Sequence, residues 1–273
     1  MKDFSEKTVY VVGGSSGIGL ATANLLSAKG AHVMIFARGK DQLERALEEI
    51  SRNAISKLQR FSCMPMDVSV RHEVEAVISR AVSEFGVPDV LINCAGRAYP
   101  RYFEDITHEQ FDETMRINLY SAWNTVSALV SHMKKRGGYI VNTSSMGGLI
   151  GVFGYTDYSA SKFAIIGFSE ALRSELKPYG ITVSVLCPPD TDTPGLQEEN
   201  KTKPEETKAI SASAGLMQPD EVARTLIKGM RKKKLLIVPS LDGKFTFTAK
   251  RLSPALVEFI MDRTIRKVQE KKT

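Results

Sequence analysis

The sequence predicts an α/β protein built on one parallel, doubly wound sheet with helices on both faces, and three observations lead there. β-Branched runs alternate with segments of helical spacing along the chain. The first run, residues 8–12, meets glycines at once and passes straight into a helical segment. No repeat, low-complexity tract or linker interrupts the 273 residues, so one large domain is expected rather than two.

Composition narrows the class. With 42% hydrophobic and 25% charged residues, the chain reads as an ordinary globular protein. Cys63, Cys94 and Cys187 form no CxxC pair, and His32, His72, His108 and His132 share no ligand spacing, so neither disulfides nor a metal site is expected. No apolar run approaches the roughly 18 residues of a membrane-spanning helix, and MKDFSEKTVY has no signal-peptide core, which predicts a cytoplasmic protein. Charge is uneven: residues 228–273 hold 13 Lys and Arg against 4 Asp and Glu, whereas residues 1–227 hold 24 against 27. Such a basic end points to an anionic contact, a lipid surface or acidic carrier for example, or to a solvated terminus. Nucleic acid fits poorly, because the stretch lacks interleaved aromatics for base stacking.

The first strand (TVYVV) leads through the turn GGSSGIG into a helix from Gly17 that closes at Gly30. Gly13, Gly17 and Gly19 let the backbone turn sharply and approach a pyrophosphate resting on the free N–H groups of that helix. Ser15 and Ser16 add hydroxyl donors, and Ile18 lies in the same turn. The second strand, residues 32–37, ends in Ala37-Arg38. An acid there would accept from ribose hydroxyls, whereas Arg38 suits a 2′-phosphate, so NADPH is the expected cofactor unless Arg38 simply faces solvent.

Residues 41–57 form a charged amphipathic helix and 60–66 a third strand ending at Asp67-Val68. Asp67 either accepts from an adenine amino group or caps the next helix with Ser69. After a helix over 71–85, the fourth strand, 88–92, delivers Asn93, Cys94, Ala95 and Gly96, small residues of the kind a flat cofactor passes over. A long helix over 107–135 carries Asn118, and an Asn inside a helix usually has a partner. Residues 138–143 form the fifth strand, 157–176 a helix and 181–186 the sixth strand. An apolar strand over 235–241 precedes Ser253 and Pro254, which read as the start of a helix with Val257, Ile260, Met261, Ile265 and Val268 along one face. Lys and Arg line its other side, so membrane-surface docking and a core or subunit contact both fit.

The fifth strand hands over to the stretch that carries chemistry. Ser145 lies thirteen residues before Tyr158, and Tyr158 alone among eight tyrosines has a Lys, Lys162, four residues on. That spacing sets ring and amine on one helix face, where an ammonium favours the charged form of a phenol. A phenol titrates near 10, so proton transfer at neutral pH asks for a downward shift of roughly three units, about 4 kcal/mol. Ser145 is placed to donate to a substrate oxygen that gains charge. A packed ring with a solvated amine would show the same spacing, so the rest of the chain must decide.

The glycine turn Gly13 to Gly19, Asp67, Asn93 to Gly96, Asn118, Ser145, Tyr158 and Lys162, in this order, resemble the short-chain dehydrogenase/reductase family over roughly residues 6–240. The resemblance implies a single Rossmann-type domain with a seven-stranded sheet in the order 3-2-1-4-5-6-7, a catalytic set of Asn118, Ser145, Tyr158 and Lys162, and a homo-dimer or homo-tetramer formed through the helices bearing Asn118 and Tyr158. In the implied reaction Tyr158 protonates a ketone oxygen whose carbon takes a hydride. Ser145 polarises the carbonyl, Lys162 holds the nicotinamide ribose and lowers the Tyr158 pKa, and Asn118 fixes a water. Val68, Asn93, Ala95, Gly96, Pro188, Thr191 and Thr193 are implied cofactor contacts. The chain departs from the family pattern at Val12, where Thr is frequent, and at Pro189, where Gly is frequent.

The run Cys187 to Gly195, with residues 199–207, resembles the 3-ketodihydrosphingosine reductase branch of that family, which implies a long-chain amino ketone as substrate. Residues 188–217 then form a lid stiffened by Pro188, Pro189 and Pro194, whose Asp190 and Asp192 either meet the substrate ammonium or are solvated turn residues. The expected architecture is a catalytic domain over residues 1–240 and a basic amphipathic extension over 241–273. Two rivals stay open: a 3-oxoacyl-carrier or other lipid ketone reductase, and a non-catalytic NADPH-sensing or scaffold protein on the same fold.

Overall fold

The computed structural model describes residues 3–212 and 215–271; residues 213–214 of the expected lid and the outermost residues at each end of the chain lie outside them. Strands β1 (Thr8–Val12), β2 (His32–Ala37), β3 (Phe61–Pro65), β4 (Val90–Asn93), β5 (Gly138–Thr143), β6 (Ile181–Leu186) and β7 (Leu236–Ile237) form one parallel sheet. Their order is β3-β2-β1-β4-β5-β6-β7. It reverses between β1 and β4, and in such sheets ligands sit in the crevice beyond the carboxyl ends at that reversal.

The first helices are α1 (Gly17–Ser27), α2 (Lys40–Arg52), α3 (Arg71–Phe85), α4 (His108–Met115), α5 (Ser121–Met133) and α6 (Thr156–Leu176). After β6 come α7 (Pro194–Asn200), α8 (Glu205–Ala212), α9 (Pro219–Arg231), α10 (Leu241–Leu252) and α11 (Pro254–Gln269). Leu26, Val222, Leu226 and Met230 from α1 and α9 close one face of the sheet, and Val74, Ile78, Leu129, Met133 and Leu176 from α3, α5 and α6 close the other. Strands covered on both faces need no polar alternation, and all five residues of β1 are buried.

Several expected boundaries move. The helix expected over 41–57 stops at Arg52, where its buried stripe of Leu43, Ala46 and Ile50 runs out. The chain then turns back, pinned by Gln59 Nε2 donating to the carbonyls of Ser27 and Ala31 at 2.9 and 3.0 Å. The helix expected over 107–135 is interrupted by a π turn at Arg116–Tyr120, which turns Asn118 inward. The strand expected over 235–241 shrinks to two residues, because Pro239 has no N–H to donate and Ser240 already caps α10, accepting from Gly243 N at 3.0 Å.

Asn93, expected at the cofactor, lies beneath the crevice instead. The two-residue period of β4 puts its side chain on the same face as Leu91, toward α5. Its Nδ2 donates to Asn142 Oδ1 at 2.9 Å, and its Oδ1 accepts from Thr125 Oγ1 at 2.9 Å. Asn142 Nδ2 continues to Ser169 Oγ at 2.9 Å, so one buried polar chain ties β4, β5, α5 and α6 together. Replacing Asn93 by Ala strands the Asn142 acceptor and should lower stability by about 1–3 kcal/mol in urea unfolding. An unchanged midpoint would contradict that role for the buried chain.

Candidate active site

The crevice at the β1–β4 reversal opens into a cleft of about 730 Å³ that runs from the glycine turn, past Tyr158, to α10 and α11. Gly13 and Gly17 hold the turn in the left-handed region at φ 77° and 53°. A Cβ on Gly19 would stand 2.1 Å from the Gly13 carbonyl oxygen, so no side chain fits there. Ser16 makes no side-chain capping bond and the first turn of α1 holds no acid, which leaves the helix's N–H groups and positive end free to meet an anion. Ser15, Ser16 and Ile18 line the cleft beside them. This bare cradle fits the diphosphate of a dinucleotide.

Arg38, Asp67 and Val68 line the same wall just beyond β2 and β3. Asp67 also accepts from Ser69 N at 2.9 Å and Ser69 Oγ at 2.7 Å, so it fixes the turn into α3 while facing the cleft. Burial pushes its carboxyl up, but the Ser69 hydrogen bonds and the Arg38 and Arg97 guanidiniums outweigh that and hold it below the usual carboxylate range. Ala95 and Gly96 form the next part of the wall. A Cβ on Gly96 would come within 3.0 Å of both Asn118 Oδ1 and Lys162 Nζ, so those two groups converge behind the glycine.

Asn118 itself is buried and supports the wall from behind. Its Nδ2 donates to Arg97 O and Ser161 Oγ, each at 3.0 Å, and its Oδ1 accepts from Arg97 N at 2.9 Å. With both amide donors taken, the side chain locks the loop after β4 onto α6. Ser144 is likewise structural, donating to Lys162 O at 2.7 Å. Ser145, one residue on, faces the cleft; its Oγ accepts from Gly147 N at 3.1 Å, and its hydroxyl also bonds the Tyr158 phenol.

Tyr158 and Lys162 share one face of α6, with the amine 5.5 Å from the ring centre. Lys162 Nζ donates to Thr143 O at 3.1 Å, and burial brings its pKa down to about 8. The phenol moves opposite to the direction the spacing implies. Burial, reinforced by the Glu199 and Asp190 carboxylates, pushes Tyr158 well above the ordinary phenol value, against the hydrogen bond with Ser145.

After β6, Pro188, Thr191 and Thr193 line the cleft, and Thr193 packs against Gly17 while capping α7 through its bond from Leu196 N. Asp190 faces the cleft but is already paired with Lys203 at 3.1 Å. Asp192 does not reach the cleft. The bridge between Thr191 and Met217 turns it outward to solvent, where Gln218 Nε2 approaches at 3.4 Å. Tyr155, Glu199 and Lys203, which no motif in the sequence marks as site residues, join Asp190 at the lid. The i,i+4 spacing of Glu199 and Lys203 was a visible signal for their pairing, but the link to Asp190 depends on how the lid folds.

The profile of the short chain dehydrogenase family matches residues 7–204. The chain belongs to the short-chain dehydrogenase family. Within this family it is 44% identical to a 3-dehydrosphinganine reductase of Danio rerio over 222 residues, 81% of this chain and 67% of that protein. It is 39% identical to a 3-ketodihydrosphingosine reductase of Dictyostelium discoideum over 271 residues, 93% of this chain and 79% of that one. Among solved structures, a short-chain dehydrogenase from Novosphingobium aromaticivorans matches with a TM-score of 0.75 at 27% identity, over 91% of this chain and 85% of that chain. The nicotinamide dinucleotide that short-chain dehydrogenases use fits the cradle and the wall of small residues described above.

The raised phenol has a direct spectroscopic consequence. In the ligand-free protein, the tyrosinate absorbance lost on Tyr158→Phe should develop only above pH 10, the ordinary phenol value. A Tyr158-dependent tyrosinate band at neutral pH would contradict the upward shift.

Proposed function

We propose that this chain reduces the ketone of 3-ketodihydrosphingosine to the alcohol dihydrosphingosine, a step of sphingolipid synthesis, with NADPH as reductant. The observation that carries the reading is the meeting of Ser145, Tyr158 and Lys162 in a cleft that continues from the glycine turn to an apolar wall of Phe245, Ala249, Leu256, Val257, Ile260 and Met261. A polar head beside the reacting groups and a long alkyl chain along α10 and α11 match that division. Relatives named for this ketone support the same substrate. Arg38, the first residue after β2 and part of the cleft wall, supports a 2′-phosphate and hence NADPH over NADH.

Bound NADPH supplies the hydride. Ser145 donates a hydrogen bond to the carbonyl oxygen and orients it, keeping its own proton. Tyr158 then gives its proton to that oxygen. Its raised pKa keeps the proton in place until negative charge builds there, and an alkoxide is the stronger base, so transfer still runs toward it. The Lys162 ammonium, largely charged at neutral pH with a pKa of about 8, stabilises the phenolate left behind. Exposed Tyr120, Trp123 and Phe163 on the helices bearing Asn118 and Tyr158 support a homo-oligomer paired through them.

We also propose that α10 and α11 dock on an anionic membrane surface from which the substrate enters. No helix among the described residues is long and apolar enough to cross a membrane. Phe245, Leu252 and Phe259 are nevertheless 76%, 81% and 63% exposed. Lys244, Arg251, Arg263, Arg266 and Lys267 stand among them, and Phe245, Leu256 and Ile260 carry the apolar surface into the cleft.

In steady-state assays the enzyme should prefer 3-ketodihydrosphingosine to an acetoacetyl thioester and NADPH to NADH, and Tyr158→Phe should lower kcat by about 100-fold or more. Near-normal turnover in that variant would overturn the assignment. The protein should also co-sediment with vesicles containing phosphatidylserine at low salt, less so at high salt, and Phe259→Asp should weaken the binding. Absence of binding at low salt would remove the docking proposal.

A further inference from the structure

The lid holds a buried charge cluster that proton transfer to the ketone does not use. The Lys203 side chain is 2% exposed, and its Nζ lies 3.1 Å from both Asp190 Oδ2 and Glu199 Oε1. Two carboxylates therefore share one ammonium, and the three side chains together carry an excess negative charge. Glu199 is only 15% exposed, yet it forms part of the cleft wall with Asp190. Tyr155 OH donates to Glu199 Oε1, and the Tyr155 ring packs on that of Tyr158 with centroids 5.3 Å apart. The excess charge thus stands one tyrosine ring away from the phenol that would protonate a ketone.

An uncompensated carboxylate in such a setting is costly. Burial, helped by Asp190, pushes the Glu199 carboxyl up and prevails over the Tyr155 and Lys203 contacts that favour its charged form. A cation arriving through the cleft would balance the cluster without any other rearrangement of charge. Asp192, turned outward, has no part in this.

We propose that Glu199 and Asp190 are the receptor for a primary ammonium on the carbon next to the reacting ketone. Lys203 holds the two carboxylates together, and Tyr155 aims Glu199 at the cleft. This rests on the reading of the cleft as a ketone-reducing site and adds the reason it selects an amino ketone over a plain one. A 3-oxoacyl thioester has no cation to offer the cluster, so the same feature discriminates against it.

The test compares kcat/KM for 3-ketodihydrosphingosine with that for the same hydroxy ketone carrying hydrogen in place of the amino group. A charge-assisted contact of this kind corresponds to a preference of about tenfold or more. The wild type should show that preference, and Glu199→Gln should reduce the ratio by about tenfold. The ratio does not depend on how much of the variant is folded. A ratio within twofold of the wild-type value, whether both substrates decline together or neither does, would overturn the proposal. Should Glu199→Gln be inactive with both ketones, inhibition of the wild type decides. A long-chain primary amine competing about tenfold more tightly than the alcohol of equal length supports the receptor, and equal inhibition overturns it. Failure of the wild type to reduce either ketone would sink the reading of the cleft itself, whereas loss of discrimination alone sinks only the ammonium receptor.

Discussion

A single buried ammonium organises this site. Lys162 is withdrawn from water and held by one carbonyl at the end of β5, so the surroundings have to bring polar groups to it. Ser144 grips the main chain of the same residue, and a methyl group on Gly96 would crowd the amine and Asn118 at 3.0 Å. Asn118 in turn locks the loop after β4 against α6. A glycine in one loop, a serine at a strand end and an asparagine in a widened helical turn thus hold the segments around that amine in place.

Around that amine the protein places opposite influences on Tyr158. The carboxylates of the lid lie on one side and the Ser145 hydroxyl on the other, and the carboxylates together with burial prevail in the ligand-free chain. A phenol so arranged keeps its proton until a stronger base appears beside it. Proton delivery is then timed by charge building on the substrate oxygen rather than by standing acidity of the tyrosine.

Much of the scaffold was legible in the sequence because it depends on local pattern. β-Branched runs gave the strands, the glycine turn gave the crevice, and the spacing of Ser145, Tyr158 and Lys162 survives intact as a shared geometry. What failed depends on direction or distance. Whether Asn93 faces the cleft is set by the pleat of β4, and whether Asp192 does is set by a bridge to Met217 across 26 residues. The direction of the Tyr158 shift is set first by burial in the folded cleft and is reinforced by Glu199, forty-one residues away in sequence. Composition showed the C-terminal segment as basic, but its service as a wall of the cleft follows from α11 packing on α8, which no periodicity reveals.

The π turn at Arg116–Tyr120 has a consequence for the whole half of the fold beneath it. Thr114 on α4 donates to Asp157 of α6 at 2.6 Å, and Met133 on α5 is fully buried in the core. In an unbroken α-helix those two residues would stand about 100° apart around the axis. One additional residue in the widened turn cancels that offset and brings both to the inward side. The turn is therefore a phase corrector between two faces of one helical rod. Its length is fixed by the core at the far end of α5 as firmly as by Asn118 at its centre.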